Sequence, residues 1–508
     1  MRNSVIMLVC LLTTFSVLHF PQLAASRYSN YTFPDNFMFG VASAAFQIEG
    51  GWNAGGRGES VWDTYLHEHP DFTADNSNGD IAADSYNKYK QDVIMVESLG
   101  VKYYRLSISW SRILPRGTDN YVNKEGVNYY RSLFKELLKA NITPVVTLFH
   151  FDLPTPFMDL GGWTNPVMVD YFEDYARIVF TLFGDLVKLW NTINEPHVYC
   201  LHGYGSDYFV PVLNFPGIAD YLCSHYLLLG HSRVYHLYDK HFRPHQKGKI
   251  FLTCEAFYAE PKDKNNITDV EAAERVLQLR LGLYAHPVFS ENGDYPETVR
   301  KRINELSIIQ GYKRSRLPVF TQEEIKLLKG SSDFFGINHY TSALMSSCPM
   351  QENWPVPSID HDLGVFMETD PSWPIYASDW LAVYPPGFRK LLSWITKNYG
   401  TKIPIIVTEN GMSDYGGIND YNRVSYFNEY LEQLLLAIYE DGCNVIGYFA
   451  WSLMDDFEWR DGYSVKFGLF HVDFDSPERS RTPKLSAINF REIVRTKRIN
   501  FDYLKRPE

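Results

Sequence analysis

The sequence lacks the long apolar runs and the basic clusters that mark membrane-spanning and nucleic-acid-binding proteins. Beyond the N-terminal segment, no window holds the roughly 18 consecutive apolar residues that a spanning helix needs. Acidic residues outnumber basic ones, 60 against 48, so the formal net charge is −12. Because nucleic acids and anionic membranes attract basic proteins, this charge balance argues against either as the main partner.

Motifs for metal ions, phosphates and serine nucleophiles are also absent. The sequence contains no His-Glu-x-x-His, no Gly-x-Ser-x-Gly and no glycine-rich phosphate loop. Its six cysteines are spaced too widely for a zinc site or a redox Cys-x-x-Cys pair. We therefore expect no metal and no cofactor. A single disulfide between Cys200 and Cys223 is one possibility.

The first 26 residues have the pattern of a secretory signal peptide. Arg2 precedes a mostly apolar stretch over residues 5–20, and small residues follow at 24–26. We expect cleavage near residues 24–26, a mature domain over residues 27–508, and no membrane anchor. The protein would then be secreted, into the extracellular space or a gut lumen. Three sequons for N-glycosylation agree with secretion, at Asn30, Asn141 and Asn266.

Eight short apolar segments alternate with longer amphipathic ones. The apolar segments lack two-residue alternation, as expected for strands that are covered on both faces. The predicted strands span residues 37–46, 102–107, 144–150, 189–194, 249–254, 333–338, 403–408 and 445–451. Helical periodicity predicts helices over 88–99, 124–140, 166–183, 221–238, 270–283, 387–398, 422–439 and 485–496.

This alternation predicts an α/β fold, a single (β/α)8 TIM barrel with long loops at its C-terminal face. No linker of low complexity interrupts the series. The longest irregular stretch, residues 342–384, follows the sixth predicted strand. Because long loops in compact domains are usually functional or disordered, we expect this one to border the site.

Polar and indole side chains collect at the C-terminal ends of the predicted strands, where barrels of this type place their functional groups. Amide, imidazole and carboxylate groups suit the hydroxyls of a pyranose, and a tryptophan ring suits its C–H face. The residues concerned are Gln47, Arg105, His150, Asn194, Glu195, Asn338, Tyr340, Glu409, Trp451, Glu458 and Trp459.

Glu195 and Glu409 each follow an apolar strand-like segment. Hydrolysis of a glycoside needs two carboxyl groups, one to protonate the departing oxygen and one to attack the anomeric carbon or activate water. An apolar setting and the neighbouring negative charge of Glu409 would both raise the pKa of Glu195 and so keep it protonated. Arg105 and Tyr340 would keep Glu409 ionised. Each residue alone has an ordinary explanation, such as a solvated strand end. Their common position at one end of a barrel favours a site.

Six segments together carry a specific resemblance. They read FMFGVASAAFQIEG (37–50), YRLSISWSRILP (104–115), TLFHFDLP (147–154), NTINEP (191–196), VTENG (407–411) and WSLMDDFEW (451–459). With these segments the chain resembles the family 1 glycoside hydrolases, the β-glucosidase family, over about residues 31–495. It departs from the family pattern at Phe151, His197 and Asp456, where tryptophan, an aromatic or apolar residue, and asparagine are common.

The resemblance implies a retaining mechanism in which Glu195 is the acid/base and Glu409 the nucleophile. It implies that Arg105 and Tyr340 position the nucleophile. It also implies a set of sugar-binding residues, namely Gln47, His150, Asn194, Asn338, Tyr340, Trp451, Glu458 and Trp459.

Within the family, the chain looks most like the secreted animal members, and especially the insect members. The first expectation is a β-glucosidase acting on terminal β-D-glucosides. The alternative is a thioglucosidase (myrosinase) acting on glucosinolates, for which Arg460 could meet the sulfated aglycone. The family's plant thioglucosidases replace the acid/base by glutamine, whereas insect ones keep both glutamates. A sugar-binding protein without turnover is an alternative from another class, which the two intact glutamates disfavour.

Overall fold

The computed structural model describes residues 29–348, 354–499 and 501. The predicted signal segment 1–26 and its cleavage region lie outside the described residues. The chain separates into the units Met1–Asn30, of which Ser29 and Asn30 are described, and Tyr31–Glu508, which holds all elements given below.

Eight parallel strands close into a barrel in chain order, each paired with its neighbour. Met38 on the first strand pairs with Gly447 on the last, which closes the ring. This arrangement confirms the predicted (β/α)8 barrel and all eight predicted strands. The barrel strands are β1 (Met38–Ala42), β2 (Tyr103–Ser107), β3 (Thr143–Phe149), β4 (Leu189–Asn194), β5 (Lys249–Glu255), β6 (Phe335–Asn338), β7 (Ile405–Asn410) and β8 (Val445–Trp451).

Helices cover the barrel between the strands, and each of the eight predicted helical segments contains one. Local signals fix several ends: Ser60 and Asp63 form a capping box at Val61–Glu68, and Gly100, with φ of +72°, follows Ser85–Ser98. The longer helices are Val61–Glu68, Ser85–Ser98, Lys124–Lys139, Met168–Phe183, Ala219–Leu237, Ile267–Leu277, Leu283–Phe289, Glu297–Ile309, Gln322–Leu328, Pro385–Tyr399, Tyr421–Tyr439 and Leu485–Thr496.

Two of the predicted elements differ clearly from the structure. The first strand ends at Ala42 rather than at residue 46, and Ala45–Ile48 is a helical turn. The N–H of Ala45 donates to Ser107 Oγ at 2.6 Å, which ends the strand pairing there. The predicted helix over 270–283 is interrupted by a π-helical turn, Gln278–Gly282, which sequence periodicity does not indicate.

The segment 342–384 was predicted to be irregular, but parts of it form strands and a helix. Ser342–Ser347 and Val365–Glu368 form a three-stranded sheet with Tyr258–Pro261, which follows β5. A short helix, Ile359–Leu363, lies between two of these strands. The strands are four to six residues long, and their partners lie from 18 positions away (Ser347 with Val365) to 84 positions away (Tyr258 with Ser342), so local sequence gives little signal for them.

The possible disulfide between Cys200 and Cys223 is present. It joins the chain just after β4 to the helix Ala219–Leu237. Among the described residues, no helix has both the length and the apolar character needed to cross a membrane.

Candidate active site

Glu195 stands immediately after β4, where the chain turns sharply. Its backbone is left-handed, with φ of +43°, a conformation that is uncommon outside glycine and concentrates at functional sites. Its N–H donates to the carbonyl of Thr253 at 3.0 Å, and Pro196 then opens a helical turn. The carboxyl group is buried, and Asn338 Nδ2 donates to its Oε1 at 2.6 Å.

Glu409 lies one residue before the end of β7 and is also buried. Arg105 Nη1 donates to its Oε1, and the Tyr340 hydroxyl donates to its Oε2 at 2.6 Å. Both carboxylate oxygens therefore accept hydrogen bonds from strong donors, an arrangement that suits the charged form. Burial, followed by the charges of Glu409 and Glu195, raises the pKa of Tyr340 well above its ordinary value, so the phenol stays a donor.

One network of side chains joins the two carboxyl groups. Asn194 Oδ1 accepts from Arg105 Nη2 at 2.6 Å and from Asn338 Nδ2 at 3.1 Å. Arg105 continues to Glu409, and Asn338 continues to Glu195. Because strands β2, β4, β6 and β7 supply these residues, the barrel itself fixes the position of one carboxyl group relative to the other.

The two carboxyl groups have opposite surroundings. Burial raises the pKa of Glu195 well above its ordinary value, and the charges of Glu409 and Glu255 raise it further. The hydrogen bond from Asn338 and the charge of Arg105 act in the opposite direction but are outweighed. Glu195 therefore suits a proton donor, and Glu409, held by Arg105, suits an anion.

A cavity of about 660 Å³ opens over both carboxyl groups. The rings of Trp451 and Trp459 lie nearly parallel to the ring of His150, with centroids 6.1 Å from it in each case. Six residues predicted to bind the sugar line this cavity: Gln47, His150, Tyr340, Trp451, Glu458 and Trp459.

Asn194, Asn338 and Arg105 are not part of the cavity wall. Their side chains are almost fully buried, and they support the two glutamates through the network described above. For Arg105 and Tyr340, the contacts with Glu409 agree with the predicted positioning role. Direct contact of Asn194 and Asn338 with a sugar stays a prediction.

Gln47 Oε1 and His150 Nδ1 are among the buried polar atoms of the wall that lack hydrogen bonds within the described part of the chain. Burial, and then the charge of Arg105, lowers the pKa of His150, so its ring is neutral. Since its Nε2 lies 3.1 Å from the Asn194 amide nitrogen, which donates, Nδ1 carries the proton. The wall therefore offers one acceptor and one donor to a ligand hydroxyl.

The model of the family described as Glycosyl hydrolase family 1 matches residues 29–499. The chain belongs to glycosyl hydrolase family 1. It is similar to Myrosinase 1 of Brevicoryne brassicae, with 44% identity over 92% of this chain and 99% of that protein. It is 43% identical to the cytosolic beta-glucosidase of Homo sapiens, over 91% of this chain and 98% of that protein. A solved structure of aphid myrosinase matches with a TM-score of 0.88 and 44% identity, covering 92% and 99%.

Family membership confirms the resemblance and makes the chain an enzyme, a glycoside hydrolase. It does not distinguish oxygen from sulfur glycosides, because the myrosinase and the cytosolic β-glucosidase are equally similar. The thioglucosidase alternative therefore stays open.

Two residues that depart from the family pattern pack close to the site of this family 1 enzyme. Phe151 stacks on Tyr199, with centroids 5.5 Å apart, and its centroid lies 5.3 Å from that of Trp459. Burial raises the pKa of Asp456 to about 8, and burial, followed by the charge of Asp456, raises the pKa of Glu458 well above its ordinary value. This enzyme thus carries an additional acidic group behind the wall that bears Gln47 and Glu458.

His197, the remaining departure from the family pattern, lies two residues after Glu195. It lies behind the cavity, where its Nε2 accepts a hydrogen bond from Arg280 Nε at 2.8 Å. Burial lowers the pKa of His197, and the charge of Arg280 lowers it further, so the ring is a neutral acceptor. His197 therefore does not line the cavity itself, but its hydrogen bond holds Arg280, which does.

Arg460 lines the cavity but is already engaged. Its guanidinium lies over the rings of Phe72 and Tyr208, at 4.6 and 5.4 Å from their centroids, and donates to the carbonyl of Asp207. These contacts hold the side chain in the wall. Direct contact of Arg460 with a sulfated aglycone stays a prediction.

The cavity wall also contains residues that the sequence analysis did not single out, among them Glu255, Phe257 and Arg280. Glu255 is the last residue of β5, and the predicted strand stopped one residue earlier. A strand-end carboxylate was therefore a detectable signal. Arg280 lies in the π-helical turn Gln278–Gly282, for which the sequence gives no signal.

Proposed function

We propose that this family 1 enzyme hydrolyses terminal β-D-glucosides with net retention of configuration. The single observation that carries the proposal is the difference between two buried glutamates of one network. Glu195 receives an amide hydrogen bond, and its pKa is raised, whereas Glu409 receives a guanidinium and a phenol. An acid and an anion flanking one cavity are what two-carboxylate glycoside hydrolysis requires.

In the first step, a carboxylate oxygen of Glu409 attacks the anomeric carbon. Glu195 gives its proton to the glycosidic oxygen as the bond to the anomeric carbon breaks, and the aglycone leaves as an alcohol. The product is a glucosyl ester of Glu409. Esterification removes the charge of Glu409, one of the charges that raise the pKa of Glu195, so the pKa of Glu195 falls and its ionised form becomes available as the base.

In the second step, Glu195 takes a proton from a water molecule. The water oxygen attacks the anomeric carbon from the side that the aglycone left, and the ester bond to Glu409 breaks. Glucose leaves with its original configuration, Glu409 is again a carboxylate, and Glu195 is again protonated. Two inversions thus give net retention.

The sugar is held by groups on the cavity wall. Gln47 Oε1 and the Nδ1–H of His150 are an acceptor and a donor without partners among the described residues. Gln47 Nε2 donates to Glu458 Oε2 at 3.3 Å, so one hydroxyl group can contact both side chains. Trp451 supplies a ring for the apolar face of the pyranose.

The test compares Glu409→Gln and Glu195→Gln with the wild type, using one aryl β-glucoside with an activated phenol and one with an unactivated phenol. We expect Glu409→Gln to lower kcat for both by about 10³-fold or more. We expect Glu195→Gln to slow glucosylation mainly for the unactivated phenol, which needs a proton to leave. NMR spectroscopy should detect β-glucose as the first product.

Release of α-glucose first, or a Glu409→Gln variant with wild-type turnover, would contradict the proposal. A surface control, Lys301→Gln, removes a charge from the exposed Lys301–Glu297 pair. It should leave both rates unchanged.

A second candidate, hydrolysis of glucosinolates, is supported by the 44% identity to Myrosinase 1 of Brevicoryne brassicae. In that case the leaving sulfur needs no proton. The comparison of kcat/KM for a benzyl glucosinolate with that for an aryl glucoside separates the two. Glucosinolate turnover that is far slower than the aryl glucoside reaction would remove this candidate.

We also propose that the enzyme is secreted and N-glycosylated. Support comes from the signal-like residues 1–26, the disulfide between Cys200 and Cys223, and the exposed side chains of Asn141 and Asn266. Disulfides form and persist mainly in oxidising compartments.

A further inference from the structure

One part of the cavity wall is charged but has no role in the mechanism above. Glu255 and Arg280 both face the cavity, with Phe257 beside them. The N–H of Glu195 donates to the carbonyl of Thr253 at 3.0 Å, and Glu255 lies two residues farther along β5. After burial and the charge of Glu409, the charge of Glu255 also raises the pKa of Glu195. Glu255 therefore lies near the proton donor.

The proton donor marks the aglycone side of a glycosidase cavity, because its proton goes to the leaving oxygen. Gln47 and Glu458, which form the proposed sugar contacts, are hydrogen-bonded to each other and belong to the loops after β1 and β8. Glu255 is the last residue of β5, and Arg280 lies in the π-helical turn Gln278–Gly282 that follows β5. The charged pair thus borders the leaving group rather than the glucose.

Arg280 is held rigidly but keeps free donors. Its Nε donates to the neutral His197, and its guanidinium lies over the ring of Phe257, 4.3 Å from the centroid. Neither Nη donates a hydrogen bond within the described parts of the chain. The side chain is therefore pre-oriented by an imidazole and an aromatic ring, with its fork of N–H groups left for another partner.

Glu255 is the matching acceptor. Its Oε2 is buried and has no hydrogen-bond partner among the described residues. Glu255 and Arg280 form no ion pair within 4.0 Å, although the charge of each acts on the other. A carboxylate and a guanidinium held apart beside one cavity present acceptors and donors to the same ligand, with no net charge.

We propose that Glu255 and Arg280 select aglycones that carry hydroxyl groups, such as a second sugar residue joined by a β-linkage. A neutral hydroxylated group can donate to Glu255 and accept from Arg280 at the same time. A sulfated aglycone would satisfy Arg280, but it would bring its negative charge close to Glu255 and to the acidic groups of the site. This inference rests on the proposed hydrolysis of β-glucosides.

The test measures kcat/KM for cellobiose and for phenyl β-glucoside at the pH optimum of each variant. The variants are Glu255→Gln, which keeps the shape of the side chain, and Arg280→Met, which keeps much of its length. We expect the ratio of cellobiose to phenyl glucoside activity to fall about tenfold or more in each, since hydrogen bonds to charged groups are lost for cellobiose only. Glu368→Gln is the matched control, because Glu368 lines the same cavity but is paired with Lys262 at 2.8 Å, and its ratio should not change.

Equal losses for both substrates would overturn the proposal, since they would show a structural role or an effect on Glu195 alone. A wild-type enzyme that prefers a glucosinolate to cellobiose, with that preference lost in Arg280→Met, would also overturn it. A wild-type enzyme that hydrolyses no β-glucoside would instead refute the proposed function. The thermal melting curve of each variant shows whether it is folded.

Discussion

At the scale of single residues, the chemical difference between Glu195 and Glu409 comes from their donors. Glu409 is bonded to Arg105 and Tyr340, and Glu195 is bonded to Asn338. Each of these donors bonds to only one of the two glutamates, so a change in one donor should act on one glutamate more than on the other.

Asn338→Ala should move the alkaline limb of the pH profile of kcat/KM to higher pH. The general acid must be protonated, so activity is present below the pKa of Glu195 and is lost as pH rises through it. The hydrogen bond from Asn338 stabilises the charged form of Glu195 and so lowers this pKa. Removing the amide should move the midpoint of the alkaline limb upward by about one pH unit, because a hydrogen bond to a charged group is lost. The measurement is kcat/KM for phenyl β-glucoside between pH 5 and pH 10.

The control substrate is a dinitrophenyl β-glucoside, whose leaving group departs without a proton. Its alkaline limb should not follow the shift. A limb that stays in place or moves to lower pH with the phenyl glucoside would contradict the assignment of Glu195 as the general acid.

At the scale of elements, Trp451 ends β8, and the segment that follows it carries Glu458 and Trp459 and must be fixed in place. Asp455 lies in its centre, fully buried, and accepts from Lys484 Nζ at 2.7 Å. Lys484 directly precedes the C-terminal helix Leu485–Thr496. The ion pair therefore fastens a wall of the cavity to the last helix of the barrel.

The two partners of this ion pair differ in their response to burial. Burial acts to raise the pKa of Asp455, but Lys484, His471 and Arg423 together bring it below its ordinary value. Burial and the charge of Arg423 lower the pKa of Lys484 in spite of the attraction of Asp455. The pair is thus costly to bury, and each charge depends on the other, so removal of one partner should cost more than removal of both.

Lys484→Met should lower the free energy of unfolding by about 3–5 kcal/mol at neutral pH, because it removes the lysine partner of the buried Asp455 charge, which keeps His471 and the backbone N–H groups of Gly468 and Val472. Lys484→Met combined with Asp455→Asn should recover part of the loss. Since the folded-state pKa of Asp455 is lowered, its contribution to stability is present above the unfolded-state pKa and is lost as pH falls through the folded value. The difference between wild type and Lys484→Met should therefore shrink on acidification. Urea unfolding curves at several pH values measure it, and a double variant less stable than the single would contradict the argument.

At the scale of the whole molecule, the barrel and its two glutamates were predictable because buried parallel strands appear as continuous apolar runs that end in polar residues. The strand β7, with its apolar run before Glu409, shows this clearly. The sheet of Tyr258–Pro261, Ser342–Ser347 and Val365–Glu368 was not predictable, because its short strands depend on distant partners. The position of Arg280 was not predictable either, since a π-helical turn has no sequence signature.

Secretion is the remaining prediction at this scale. The full chain, expressed in insect cells, should appear in the medium with an N-terminus near residue 27. Treatment with a peptide N-glycosidase should lower its mass, because Asn141 and Asn266 are exposed and so accessible to glycan transfer. Substitution of Asn30, Asn141 and Asn266 by glutamine should abolish this mass difference, and each single substitution should remove one glycan at most.

Secretion also determines whether the disulfide between Cys200 and Cys223 can form. This disulfide spans 23 positions and closes a loop. The loop carries the wall residues His202, Tyr208 and Phe209. A chain that lacks residues 1–26 and is made in a reducing cytosol should keep both thiols free. Loss of the cross-link should cost about 2–4 kcal/mol of stability and raise KM, since the two ends of the wall loop are then no longer joined to each other. Thiol titration, thermal melting and kinetics before and after reoxidation measure these effects. A cytosolic form that equals the secreted form in stability and KM would show that the barrel alone holds this wall, and that the enzyme needs no oxidising compartment.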